Sequence, residues 1–185
     1  MPDADTLAAR TKMWARILNS ISDAPPNSIL EVGANAGVNL RALAELVSSS
    51  LYAVEPNAQA RYELAKSEII PAEHIFDGIA SSLPFGNQTI DFVFTSGVLI
   101  HVHPDDLLAS IAEIHRVANR YISCIEYFSD KPKEITYRGN KGMLFKRDFG
   151  SYWLNNFPNI RLLDYGFFWK PVTQIDNLTW WLFEK

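Results

Sequence analysis

The residues best suited to chemistry come early in the chain. Glu31-Val32-Gly33-Ala34-Asn35-Ala36-Gly37 closes a short apolar run over 28–32 and leads directly into positions spaced as a helix. Gly33 and Gly37 permit positive φ and let the backbone approach any ligand lying over the turn. The next apolar run, 51–54, ends in Glu55, eighteen residues after Gly37. A carboxylate at that strand end can accept both hydroxyls of a ribose. Glycine turn and acid together are far more specific than either part alone.

Two ligands use this arrangement, a dinucleotide and S-adenosylmethionine. The dinucleotide fingerprint is G-x-G-x-x-G with a pyrophosphate on a helix N-terminus. Here the spacing is G-x-x-x-G, and Glu31 stands two residues before the first glycine, where it would repel a pyrophosphate. The spacing and Glu31 therefore count against the dinucleotide. A nicotinamide cofactor is the competing reading, and a glycine turn that binds nothing is the third.

The run resembles the E/D-x-G-x-G-x-G pattern of class I S-adenosylmethionine-dependent methyltransferases, with Asn35 in place of the middle glycine. Phe76-Asp77-Gly78-Ile79-Ala80-Ser81-Ser82-Leu83-Pro84-Phe85 is similar to the G-D-A-x-x-L-P-F stretch that packs the adenine in that superfamily. Ile79 stands where an aspartate is expected, so the adenine amino group needs another acceptor, a backbone carbonyl or Asp77. Residues 90–101, ending Ser96-Gly97-Val98-Leu99-Ile100-His101, resemble the fourth strand and the loop that lines the sulfonium and the acceptor. The resemblance implies a cofactor site made of Glu31, Gly33, Ala34, Asn35, Gly37, Glu55, Pro56, Ile79, Ala80, Ser96 and Gly97.

Further stretches look like the methylases associated with pseudaminic acid biosynthesis. They are 97–101, Ile125-Glu126-Tyr127-Phe128, Tyr137-Arg138-Gly139, 144–149, Asp164-Tyr165-Gly166-Phe167 and 179–185. That family implies a small sugar-type acceptor, with Tyr127, Tyr137, Arg138 and Lys146 on the acceptor side. If the acceptor is a hydroxyl, a base must sit within hydrogen-bond reach of its proton. His101 is the first candidate and Glu126 the second. Both enzyme readings compete with a non-catalytic, cofactor-binding regulatory domain, to which Asn35 and Ile79, off pattern, lend some support.

Other constellations have plainer readings. His101-Val102-His103-Pro104-Asp105-Asp106 is close to the H-x-H-x-D-H run of metallo-hydrolases but lacks its final histidine, so no metal is expected. Asp105 or Asp106 instead suits a helix N-terminus. Residues 131–148 carry six cations (Lys131, Lys133, Arg138, Lys141, Lys146, Arg147) against Glu134 and Asp148. This excess is either a solvated loop or a lid that grips an anionic acceptor, with Arg138 suited to a bidentate hold on carboxylate or phosphate. The aromatics Tyr165, Phe167, Phe168, Trp169, Trp180, Trp181 and Phe183 read as mostly core. Trp14 either packs on its helix or caps the cofactor pocket, and Cys124 reads as an inert buried thiol.

Alternating strand and helix patterns position these residues. A helix over 3–20 presents Leu7, Trp14, Ile17 and Leu18 on one face, with Asp3 and Asp5 at its start. Strands follow at 28–32, 51–54, 74–76, 89–95 and 120–127, with helices at 57–67 and 104–119 and a shorter one at 148–156. Two paired strands, 160–168 and 178–183, close the sheet. Such alternation means an α/β fold with a mostly parallel sheet and helices on both faces; the resemblance makes it Rossmann-like, with an antiparallel C-terminal strand pair. One domain over 1–185 is expected, with an N-terminal helical segment 1–24 and an acceptor-side loop 128–150. The 185 residues are 48% hydrophobic and carry a net charge of −4, which argues against a dedicated nucleic-acid binder. No apolar run approaches the length of a membrane span, the charges among the first twenty residues make a secretory signal there unexpected, and one cysteine excludes an internal disulfide. A cytoplasmic protein is the default expectation.

Overall fold

The computed structural model describes residues 4–185, so Asp3 lies outside the described residues. Helix α1 (Ala4–Asn19) precedes β1 (Ser28–Val32), α2 (Val38–Ala44), β2 (Ser50–Val54), α3 (Ala58–Lys66) and β3 (Ile75–Phe76). Then come β4 (Ile90–Ser96), α4 (Pro104–Val117) and β5 (Ala118–Glu126). The remainder holds β6 (Lys133–Glu134), β7 (Phe145–Lys146), α5 (Phe149–Asn156), β8 (Arg161–Phe168), α6 (Lys170–Thr173) and β9 (Leu178–Glu184). Seven strands form one sheet in the order β3-β2-β1-β4-β5-β9-β8. The first five run parallel, and β9 and β8 are antiparallel additions. This is the expected α/β sheet with its C-terminal strand pair.

Strand alternation divides the core in two. Phe92 and Phe94 face α1 and α2, packing with Trp14, Ile17, Leu40 and Leu43. Val93 points the other way, into a layer with Leu107, Ile111 and Ile114 of α4 and Trp153 of α5. Local chemistry starts the helices: Asn57 Oδ1 accepts from the Ala60 N–H, and Asp148 Oδ1 from the Ser151 N–H. His103 caps α4 through Nδ1, with Pro104 at the first helical turn and Asp105 and Asp106 beside the dipole.

Several expectations are corrected. The helix read over 104–119 ends at Val117 and passes into β5 at Ala118 with no intervening loop, because no glycine or proline punctuates the junction. Tyr165, Phe167 and Trp169 are exposed, whereas Phe168, Trp180, Trp181 and Phe183 are core. β8 is the sheet edge, and Tyr165 and Phe167, two residues apart, share a face that α5 covers only in part. Gly166 between them makes room for Trp180, whose Nε1 would lie 2.6 Å from a Cβ there. Trp14 is core: it is fully buried, edge-on to Phe94 with ring centroids 4.4 Å apart. The basic connection is a hairpin, with β6 paired to β7. Tyr137 and Asn140 exchange backbone hydrogen bonds across its tip, and Arg138 (φ 49°) and Gly139 (φ 82°) occupy the two left-handed positions such a two-residue turn requires.

Candidate active site

The chain steps outward from β1 to β2 and β3, then crosses back to β4, so the sheet's switch point lies between the C-terminal ends of β1 and β4. A cleft of about 390 Å³ opens there. Gly33 begins its floor at φ 78°, its N–H and that of Ala34 both donating to the Val54 carbonyl (2.7 and 3.2 Å). Asn35 sits at φ 48°, a left-handed position that asparagine tolerates better than most residues, and its N–H donates to Glu55 Oε2 (2.8 Å). The Asn57 N–H donates to Glu55 Oε1 (2.9 Å). Glu55 is thus fixed by one donor on each oxygen, and each oxygen keeps lone-pair capacity toward the cleft.

Of the residues expected to hold a cofactor, Gly33, Asn35, Glu55, Pro56, Ile79, Ala80 and Gly97 line this cleft. Ser96 lines the chamber beside it. Gly37 does not line it: a Cβ there would meet Leu64 Cδ1 at 2.4 Å, so this glycine lets the turn pack on α3. Ala34 is buried beneath the turn. Asp77, one suggested partner for an adenine amino group, is turned away and pairs with Arg61 at 2.9 Å. Removal of the Glu55 carboxylate is expected to weaken donor binding by about 1.5–3 kcal/mol, the scale of hydrogen bonds to a charged group. Calorimetric titration of Glu55→Ala with S-adenosylhomocysteine measures this, and unaltered affinity in a folded variant contradicts the assignment.

Glu31 is buried below the cleft. Its Oε1 accepts from Asn39 Nδ2 (2.6 Å), and Asn39 Oδ1 accepts from Trp14 Nε1 (3.3 Å). Burial pushes the Glu31 carboxyl up to about 8, against the lowering effect of Asn39 and of nearby Arg10. Its Oε2 is buried with no hydrogen-bond partner among the described residues.

A smaller chamber of about 160 Å³ adjoins the cleft, and Gly97 and His101 line both. His101 Nδ1 lies 2.7 Å from the Met143 carbonyl, so Nδ1 carries the hydrogen and donates, leaving Nε2 as the accepting nitrogen. Its ring tilts on Tyr137 at 5.3 Å. Tyr127, also in the chamber wall, donates its hydroxyl to Asp176 (2.9 Å). Burial and that carboxylate push the Tyr127 phenol up to about 12, so it stays protonated. Lys146 Nζ stands 4.7 Å from the Tyr127 ring centre but faces a separate surface cavity with Phe128, Tyr165 and Phe167, and neither Lys146 nor Arg138, at the hairpin tip over Tyr137, lines the chamber.

Glu126 occupies a different place from the one a base needs. It is fully buried, and its carboxylate accepts from the N–H groups of Val98 (3.1 Å), Leu99 (3.0 Å) and Ile100 (3.4 Å). It fastens the loop that carries Gly97 and His101, and lines neither cavity. Among the described residues no three His, Cys, Asp or Glu side chains converge as a metal site. Cys124 is buried with its thiol pushed well up, chiefly by that burial. Sequence reasoning missed Arg10, Asn39 and Asp176, which reach the site from separate parts of the chain without a motif; only the buried Asn39, at helical spacing among apolar residues, carried any signal.

Comparison with known proteins bears on this geometry. Residues 30–120 match the family described as a methyltransferase domain. No curated protein matches the chain in sequence. Among solved structures, the fold is similar to 1,6-didemethyltoxoflavin-N1-methyltransferase of Burkholderia thailandensis, crystallised with 1,6-didemethyltoxoflavin and S-adenosylhomocysteine. The TM-score is 0.72 at 17% identity, covering 98% of this chain and 78% of that one. It is also similar to magnesium protoporphyrin IX methyltransferase of Synechocystis with bound S-adenosylhomocysteine, at TM-score 0.70 and 12% identity, covering 100% and 89%. A SAM-dependent methyltransferase of Leishmania major gives TM-score 0.75 at 16% identity, covering 96% and 72%. At these identities the likeness is one of fold.

Proposed function

We propose, from the match of residues 30–120 to a methyltransferase domain, that this chain transfers a methyl group from S-adenosylmethionine to a small anionic acceptor of sugar type. The donor supplies a methyl group on a positively charged sulfur, already activated for displacement. The observation that carries the reading is the meeting of cleft and chamber at Gly97 and His101, which lets a donor extend from the cleft toward the chamber and meet an acceptor at their junction. The residues present fit the donor: Glu55 keeps lone pairs for the ribose hydroxyls, and Glu31 Oε2 is a buried oxygen without a hydrogen-bond partner among the described residues.

The chain's own part is mostly alignment. Gly33 and the Asn35–Glu55 bond shape the floor under the ribose. Ile100, Leu144 and Leu178 give the chamber apolar walls that limit water. For a hydroxyl acceptor, His101 Nε2 takes the proton. Tyr127 and Tyr137 border the acceptor, and Lys146 and Arg138 meet its anionic group from outside the chamber wall. In this reading residues 1–185 work as a single domain, with 128–150 as the acceptor-side segment, in the cytoplasm.

Calorimetric titration with S-adenosylhomocysteine and with NADH tests the donor. Binding of the first alone is expected; binding of NADH alone favours a nicotinamide oxidoreductase, and binding of neither a non-donor role. Incubation with labelled donor and candidate sugar pools then identifies the acceptor by a mass shift of one methyl group. For that acceptor, Arg138→Ala should lower kcat/KM by roughly ten- to a hundredfold while donor affinity stays nearly intact. Arg138→Lys recovers only part, since lysine lacks the planar fork. Normal acceptor kinetics in Arg138→Ala return the hairpin to a solvated loop.

A further inference from the structure

Most arginines of the fold have found carboxylates: Arg16, Arg61, Arg116, Arg120 and Arg161 are each ion-paired. Arg10 is not. It projects from α1 into the wall of the small chamber, beside Ser96 and Gly97. Its Nε is buried without a hydrogen-bond partner among the described residues, and its Nη1 has only the weak acceptor Met13 Sδ at 3.8 Å. Two acids lie within electrostatic range, but each is engaged elsewhere. Glu31 is bound to Asn39, and Asp176 to Tyr127 and Lys170. A guanidinium sunk into a cavity wall with donors unused is costly unless an anion arrives to complete it.

Strand order shows which anion fits. Along the C-terminal edge of the sheet the successive positions are Gly78–Ala80 after β3, Glu55 after β2, Gly33 after β1, and Gly97 after β4. A nucleoside whose ribose rests on Glu55 has two ends. With the base toward β3, the other end runs toward β4, two strand spacings or about 10 Å away. Arg10 stands at that end, with Glu31 near it below.

We infer that Arg10 binds the carboxylate at the amino-acid end of the methyl donor. The inference rests on the donor reading above and adds to it a recognition residue supplied by the N-terminal helix, outside the glycine turn. Partial desolvation of the guanidinium, which lowers its proton affinity, agrees with a site prepared for an anion.

The test compares two probes by calorimetry: S-adenosylhomocysteine and its decarboxylated form, which keeps the amine and the nucleoside. The wild-type chain should prefer S-adenosylhomocysteine by roughly ten- to a hundredfold, the scale of one charge-assisted pair. Arg10→Gln should erase that preference by weakening only the carboxylate-bearing probe, with the decarboxylated probe bound as before. Arg10→Lys should restore part of the preference. Thermal melting checks that the variants fold; a purely structural arginine would weaken both probes equally, which overturns the proposal. An intact preference in Arg10→Gln overturns it as well and points to an acceptor anion. If the wild-type chain binds neither probe, the donor reading itself falls, and this inference with it.

Discussion

Gly33→Val is expected to abolish measurable donor binding and to destabilise the fold by about 3 kcal/mol. Two terms add. A β-branched residue at φ 78° carries a left-handed penalty of about 1–2 kcal/mol, and its Cβ would sit 2.4 Å from Val98 Cγ2, forcing a shift that costs about 1–3 kcal/mol. The collision is with the loop after β4 rather than with the ligand's own space, so loss of binding comes from displacement of the Gly97–His101 wall. This makes a distinctive rescue possible. Gly33→Ala combined with Val98→Ala should recover the steric part of the loss seen in Gly33→Ala alone and leave the backbone part. Chemical denaturation and donor titration of Gly33→Ala, Val98→Ala and the double variant measure it. Full additivity, with no rescue, would place the clash elsewhere.

Glu126→Ala should cost about 3 kcal/mol or more, because it strands three backbone N–H groups, at about 1–3 kcal/mol for each that stays dry. Donor binding should weaken too, since the freed loop carries Gly97 and His101. Glu126→Gln separates fastening from catalysis. Its amide oxygen can still accept from Val98 and Leu99, so turnover should fall far less than the roughly 10²–10⁴-fold expected when a general base is lost. The same variant has a pH signature. Burial pushes Glu126 up to about 7, so across the interval from the ordinary carboxylate range near 4.5 the folded chain holds a proton that the unfolded chain has released. Folding stability therefore falls as pH rises through that window. Glu126→Gln should remove this share and leave that of Glu31, which runs on to about pH 8. Stability measured from pH 4.5 to 8 with the same slope in both chains contradicts the assignment.

What the amino-acid order disclosed, and what it hid, follows from how far each cause reaches along the chain. The turn around Gly33 and the acid at Glu55 are local to strand ends, so spacing alone brought them to one cleft. Asn35, which looked like a defect in the glycine pattern, is the residue whose N–H steadies Glu55. Arg10 and Asp176 are 166 residues apart and meet only because α1 and the segment before β9 converge at one end of the sheet. No pattern local to either announces that. The cation count over 131–148 pointed to Arg138, but Arg138-Gly139 serves first as a two-residue turn with both φ angles positive. Aromatic density misled in a different way: at the edge strand β8 the helical layer covers only part of the face that Tyr165 and Phe167 share, so both stay exposed.

The distribution of tryptophans gives the chain a built-in optical probe. Trp14, Trp153, Trp180 and Trp181 are buried, and Trp169 is more than half exposed. A water-soluble quencher such as iodide will reach Trp169 and leave the other four emitting, so the quenched fraction reports on the segment around α6 alone. Trp14 is wired differently, through Asn39 to the Glu31 carboxyl. A change in the charge of that carboxyl, by titration or by a ligand settling above it, alters the field at the indole. The unquenched emission should therefore shift as the cleft fills, giving a label-free binding signal.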